Sequence, residues 1–263
     1  MPEGDTVWRA ATHLHRALRG STLTASDFRV PQLAVADLTG SVVREVASRG
    51  KHLLVRLSTG QTLHSHLRMD GAWHLYRAGS PWSGGPDHSI RVVLQTSDWS
   101  AVGYRIHDLA LVATADEPSL VGHLGPDLLG DDWDEPRAIA AVRADARTIG
   151  EALLEQRSLA GIGNLYKCEV LFLHGVWPWR KASDLPDVEG LVRTSRKLLL
   201  ANREHVQQST TGDLRAGRTH WVYGRAGKPC RRCGTRIQSK DQGVAPHQRI
   251  TFWCPSCQPP PKS

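Results

Sequence analysis

Apolar residues at Val7, Ala11, Leu14 and Leu18 recur every three or four positions, with Arg9, Arg16 and Arg19 set elsewhere on the same stretch. That spacing puts one apolar stripe on an α-helix over residues 5–19. The helix begins almost at Pro2, so its positive end is expected beside that residue. From residue 41 to 104 the pattern shortens. Runs at 41–47, 52–57, 62–67, 90–96 and 101–104 read as strands, and Ser58-Thr59-Gly60 and Ser83-Gly84-Gly85-Pro86 read as turns between them. The prediction is a β-sandwich of about 110 residues with a helix at its start.

Residues 115–136 are rich in Gly, Pro and Asp and read as a linker, whose cluster Asp131-Asp132-Trp133-Asp134 caps a helix starting near Pro136. Residues 137–206 then read as helical, with Thr148-x-x-Glu151 as a capping box opening a helix through Gln156. The fold class expected is therefore α+β and multidomain. Its parts are an N-terminal β-sandwich domain with a flanking helix (1–130), a helical domain (131–228) and a C-terminal zinc hairpin (229–263).

Charge narrows the range of partners. The chain has 263 residues and a formal net charge of +7, and 26 of its 33 cations are arginines. Arginine's planar fork matches phosphate oxygens, which favours a nucleic-acid partner. Arginine-rich enzymes that bind no nucleic acid satisfy the same composition. No apolar run reaches the length of a membrane span and no hydrophobic leader is evident, so the expectation is a soluble cytoplasmic protein without a membrane partner.

Cys230-x2-Cys233 and Cys254-x2-Cys257 stand twenty residues apart. Four thiolates close a tetrahedral shell and leave no position for water, so the expected cofactor is one structural zinc ion. Between the pairs, Ile250-Thr251-Phe252-Trp253 has β character, and a zinc-pinned hairpin would present Arg249 to a phosphate or groove. Cys168, the remaining cysteine, sits in an apolar helical stretch and reads as a packing residue. Residues 153–167 read as helix, Gly161 and Gly163, then helix, with Asn164 suited to an N-cap. A bare helix N-terminus behind a glycine turn is an anion site, and an ordinary helix corner needs the same residues. Both readings stand at this point. At the other end, removal of Met1 would make Pro2 a terminal secondary amine, able to attack an electrophilic sugar carbon.

These stretches together resemble the formamidopyrimidine-DNA glycosylase and endonuclease VIII family. The matching segments are Pro2-Glu3-Gly4, Gly50-Lys51-His52-Leu53-Leu54, residues 153–166 as a helix-two-turn-helix motif, residues 222–230 and Cys254-Pro255-Ser256-Cys257-Gln258, in family order over nearly the whole chain. The resemblance implies base-excision repair, in which an oxidised base is removed and the strand is cut at the abasic site. It implies Pro2 as nucleophile, Glu3 as general acid/base and Lys51 as a hairpin lysine near the phosphate and lesion. It further implies Gly163, Asn164 and Arg249 as the DNA-backbone site and Met69 as the side chain filling the gap left by a flipped nucleotide. The implied partner is double-stranded DNA carrying damaged bases or abasic sites, bound by a monomer.

Only nine residues separate Gly212 from Val222. Family members specialised for 8-oxoguanine carry a longer loop here, so the short one points to the endonuclease VIII-like branch and oxidised pyrimidines. Two alternatives are a glycosylase preferring 8-oxoguanine or formamidopyrimidine, and a non-catalytic damage-binding protein on the same scaffold. An enzyme acting mainly on abasic sites is a third. The chain departs from the family at Asp5-Thr6, where Pro-Glu is usual, which puts a second catalytic carboxylate in doubt. His64 and His66 alternate on a strand and read as structural.

Overall fold

The computed structural model describes residues 2–246 and 248–261 and divides into two compact units, residues 1–123 and 124–263. In the first, α1 (Gly4–Leu18) buries Val7, Ala11, Leu14 and Leu18, the stripe the periodicity predicts. It packs on β2 (Val43–Arg49), β3 (His52–Leu57) and two strands of the second sheet. One antiparallel sheet has the order β2-β3-β4-β8, with β4 spanning Gln61–His66 and β8 Asp108–Ala113. The other has the order β1-β6-β7-β5, made of Ala25–Phe28, Ile90–Gln95, Trp99–Tyr104 and Ala72–Arg77 respectively.

Alternation sorts each strand into two faces. Leu53, Val55 and Leu57 of β3, Leu63 of β4, and Val92 and Leu94 of β6 join the α1 stripe in one core. Val93, Val102 and Tyr104 point to the opposite side, where Tyr76 and Trp82 cover them. Strands β1, β5 and β8 are absent from the sequence reading. β1 is a four-residue edge strand with a single large apolar residue, and the burial along β5 never alternates. The segment read as a linker also holds a short helix, α2 (Glu117–Val121). Its Glu117 accepts two bonds from the Arg56 guanidinium, at 2.8 and 2.7 Å, and one from Thr62. That fastens the helix to the sheet.

The second unit opens with α3 (Glu135–Arg143), capped as expected by Asp134, whose side chain accepts from the Arg137 N–H. The capping box of Thr148 and Glu151 is present, but the helix it opens, α4, spans only Ile149–Ala152. The reading of a helix through Gln156 is thereby corrected. The Gln156 carboxamide explains the stop. It donates to the carbonyls of Leu154 and Ile162 and accepts from the Gly161 N–H, stapling an irregular turn in which Gly161 takes φ +99°. α5 (Asn164–Leu173) and α6 (Val188–Asn202) follow, separated by non-helical residues, so 137–206 is not helical throughout. Apolar residues of α3 to α6 form the core of this unit. The antiparallel hairpin β9 (Gln238–Gln242) and β10 (Arg249–Trp253) packs on α5. His247 lies outside the described residues.

Candidate functional site

Glu3 is the N-cap of α1 and wholly buried, and Pro2 before it is half-buried. The Glu3 carbonyl accepts from the Val7 N–H at 3.0 Å, so its backbone is locked to the first turn. The positive end of a 15-residue helix lies at this position and disfavours added positive charge there. Asp5 is buried in the same turn and accepts a long bond from the Thr6 hydroxyl.

Lys51 sits in the two-residue turn joining β2 to β3, the strands α1 packs against. Gly50 takes φ +58° at the first position of that turn, a conformation glycine adopts without steric cost. Next to it lies a feature the sequence reading found only in part. His52 on β3 and His66 on β4 are direct cross-strand partners, and His64 shares their face. The His52 Nδ1 and His64 Nε2 atoms are 2.8 Å apart, and the His52 ring also meets His66 and His123. Burial first, and then the neighbouring imidazoles, pushes His52 down to about 3. Burial, Arg68 and Lys51 bring His66 down to about 4. His52 and His66 are therefore neutral at physiological pH.

Met69 is 62% exposed at the tip of the turn after β4. The turn is closed by Gly71 N–H donating to the Leu67 carbonyl, and by Arg68 N–H donating to His66 Nδ1. The Arg68 guanidinium pairs with Asp108, and that of Arg105 bonds the Asp70 carbonyl. Met69 is thus an exposed apolar side chain on a braced turn.

In the second unit the N-cap of α5 is Gly163, and Asn164 is its first helical residue, which corrects the N-cap role read for Asn164. Asn164 is almost fully buried. Its Nδ2 donates to the Ile250 carbonyl at 2.8 Å, while its Oδ1 has no hydrogen-bond partner among the described residues. The structure thus joins two residues that sequence spacing could not connect. The helix-two-turn-helix asparagine lies one residue from Arg249, which is exposed at the start of β10.

Cys230, Cys233, Cys254 and Cys257 bring their sulfurs within 4.8 Å of one another. The Cys233–Cys254 and Cys230–Cys257 separations are 3.4 and 3.9 Å. Thiolates at tetrahedral metal–sulfur distances stand about 3.8 Å apart, so the donor set fits one metal ion. Gly234, at φ +78°, and a bond from the Cys230 N–H to the Thr235 carbonyl shape the first knuckle. Backbone N–H groups of Arg232 and Cys257 donate to the Cys230 and Cys254 sulfurs, which steadies thiolate charge. Gln258 accepts from the Cys254 N–H and donates to the Val176 carbonyl.

Two further buried groups escaped the sequence reading because nothing in their spacing marks them. Glu169 of α5 accepts from the N–H groups of Trp221, Val222 and Tyr223, each at 2.8 Å, and from the Thr210 hydroxyl. Lys167, two residues earlier, is wholly buried and donates to Thr251 of the hairpin.

Comparison with known proteins agrees with this arrangement. The family model described as the formamidopyrimidine-DNA glycosylase N-terminal domain matches residues 1–125, and that described as the formamidopyrimidine-DNA glycosylase H2TH domain matches 124–211. The chain is 56% identical to the probable endonuclease 8 2 of Streptomyces coelicolor, over 99% of its own length and 95% of the relative's. It is 46% identical to the DNA-(apurinic or apyrimidinic site) lyase Nei2 of Mycolicibacterium smegmatis, over 98% and 99% of the two lengths. Among solved structures, Lactococcus lactis formamidopyrimidine-DNA glycosylase bound non-covalently to abasic-site DNA aligns with a TM-score of 0.80 at 26% identity, covering 98% of this chain and 100% of that one. The chain belongs to the formamidopyrimidine-DNA glycosylase and endonuclease VIII family, on its endonuclease VIII-like side.

Proposed function

We propose that the protein is a bifunctional DNA glycosylase and abasic-site lyase that removes oxidised pyrimidines from double-stranded DNA, acting as a monomer. The carrying observation is its full-length relationship to endonucleases 8 and to an abasic-site lyase. Pro2-Glu3 at the head of α1 supplies a mechanism for that activity.

With Met1 removed, Pro2 presents a secondary amine. A terminal amine has a reference pKa near ~8, so a usable fraction is neutral at physiological pH. The nitrogen lone pair attacks C1′ of the damaged nucleotide, the glycosidic bond breaks toward the base, and the sugar opens to an iminium. Glu3 protonates the ring oxygen during opening and then shuttles protons. Loss of a C2′ proton expels the 3′ phosphate and cuts the strand. Water then releases the sugar from Pro2. Lys51 sits beside the lesion phosphate, and Met69 fills the stack left by the extruded nucleotide. Gly163, Asn164 and Arg249 hold the backbone. Zinc is the metal that best suits four thiolates, and it fixes the hairpin carrying Arg249. The functional divisions are taken as 1–130 for catalysis, 131–228 for the helical DNA-binding part and 229–263 for the zinc finger.

The pyrimidine preference is supported by the segment between Gly212 and Val222, which is folded on itself. Thr210 and Thr211 N–H donate to the Thr219 carbonyl, and Asp213 pairs with Arg215. Little chain is left to close over a purine.

The test is borohydride trapping on duplexes holding 5-hydroxyuracil, 8-oxoguanine or an abasic site, with Pro2→Gly beside the wild type. The expected result is a covalent adduct on the pyrimidine lesion, lost or strongly reduced in the variant. An adduct only with 8-oxoguanine would move the substrate to purines. No adduct from a chain verified to start at Pro2 would leave the damage-binding reading.

A further inference from the structure

Among the polar contacts that fasten the zinc hairpin to the helical body, one buried network adjoins Arg249. Gln242, the last residue of β9, is the register partner of Arg249, and Thr251 lies two residues along β10 from it. The two-residue repeat of a strand puts all three side chains on one face. Thr251 and Gln242 are buried on that face, and Arg249 at its rim is exposed.

The Gln242 carboxamide is bonded through both ends. Its Oε1 accepts from Thr251 Oγ1 at 2.8 Å and from the Lys167 ammonium at 3.5 Å. Its Nε2 donates to Thr148 Oγ1 at 2.8 Å and to the Pro178 carbonyl at 2.7 Å. Lys167, on α5, also donates to Thr251, so helix and hairpin share one network. The body is shaped to receive it. A Cβ at Gly150 would stand 2.3 Å from Gln242 Oε1, so the absent side chain there is the space the carboxamide occupies. The presence of glycine in α4 is accounted for by this fit.

We propose that Gln242, seated by Gly150 and Lys167, is a positioning residue that fixes the reach of Arg249 relative to Asn164, so that both meet the DNA backbone without prior ordering. The inference rests on the reading of Arg249 and Asn164 as phosphate ligands. Asn164 already holds the carbonyl of Ile250. With Gln242 fixing the opposite strand, the first residue of β10 is held from two sides. A preorganised cation loses less entropy on binding than one on a loose hairpin.

The experiment measures affinity for a duplex with a tetrahydrofuran abasic analogue, trapping rate at saturating abasic DNA, and zinc content. The variants are Gln242→Met, Gly150→Ala, Arg249→Ala and the Gln242→Met/Arg249→Ala double. Gly150→Ala removes no polar group and instead pushes the Gln242 carboxamide out of its seat, so it tests the same contact by a second route. Gln242→Met and Gly150→Ala are expected to weaken binding about tenfold, the scale on which supporting partners of a binding group act. Their saturated trapping rate and one zinc per chain should be unchanged. The double variant should bind no more weakly than Arg249→Ala alone. Wild-type affinity in Gln242→Met and Gly150→Ala, with Arg249→Ala weakened, would overturn the positioning role alone. Independent, multiplying losses in the double variant would do the same. Wild-type affinity in Arg249→Ala would remove the phosphate reading, and the positioning role with it.

Discussion

The Glu169 carboxylate gathers three consecutive backbone N–H groups and a hydroxyl inside the protein. A buried acceptor set of this kind cannot lose its charge or shape without leaving N–H groups unpaired. Glu169→Gln is expected to destabilise the fold by about 2 kcal/mol. It should also speed amide hydrogen exchange at Trp221, Val222 and Tyr223 ahead of the rest of the chain. Uniform acceleration would show that Glu169 only adds global stability. The histidines beside Lys51 make a pH prediction. His52 and His66 fall from 6.5 in the unfolded chain to about 3 and about 4 in the fold. Between those values the unfolded chain binds more protons, so stability is full above pH 6.5 and lost as pH falls toward 4. Lys51 and Arg68 oppose protonation there, and Asp108 favours it. The melting temperature of His52→Phe should drop less than that of the wild type between pH 7.5 and 4.5. Equal drops would count against the cluster. At this scale the sequence disclosed residues whose type declares their chemistry, such as the four cysteines, which the fold brings together. Glu169, Lys167 and Gln242 stayed hidden because their roles depend on partners on other elements, as far as 94 positions away in the chain.

Whole elements follow the same division. The α1 stripe and the capping box of α4 were legible because their signals are local. Strand β1 and the end of α4 were not, since pairing with β6 and the Gln156 staple decide them. The zinc hairpin is the element most dependent on something outside the chain's own packing. Beyond the cysteines its small core draws only on a few residues, including Phe172, Val222 and Ile237. Chelation should therefore release β9 and β10 while α3, α5 and α6 stay folded, because their core does not include the hairpin. Circular dichroism should change little, and affinity for abasic DNA should fall by at least tenfold. Retained affinity in a chain shown to be metal-free would detach the hairpin from DNA binding.

Across the whole molecule, the net charge of +7 makes binding to a polyanion depend on salt. Each phosphate contact removed lowers the slope of log affinity against log salt by about 1. Arg249→Ala should show that loss, and an unchanged slope would mean that the arginine touches no phosphate. Composition favoured such a partner without deciding it, while the order of motifs pointed to the family. Neither could reveal that Asn164 and the Arg249 strand are bonded together, since the bonded residues Asn164 and Ile250 are 86 positions apart. The fifth cysteine offers a way to watch that bond fail. Cys168 is wholly buried, and its sulfur accepts from the Phe252 N–H of β10 at 3.5 Å. While the hairpin stays seated, that thiol is sealed from solvent. A thiol reagent added after chelation should modify the metal-site cysteines as their knuckles open, starting with the exposed Cys233. A fifth equivalent should appear only as β10 lifts from α5, so its rate clocks undocking without an added label.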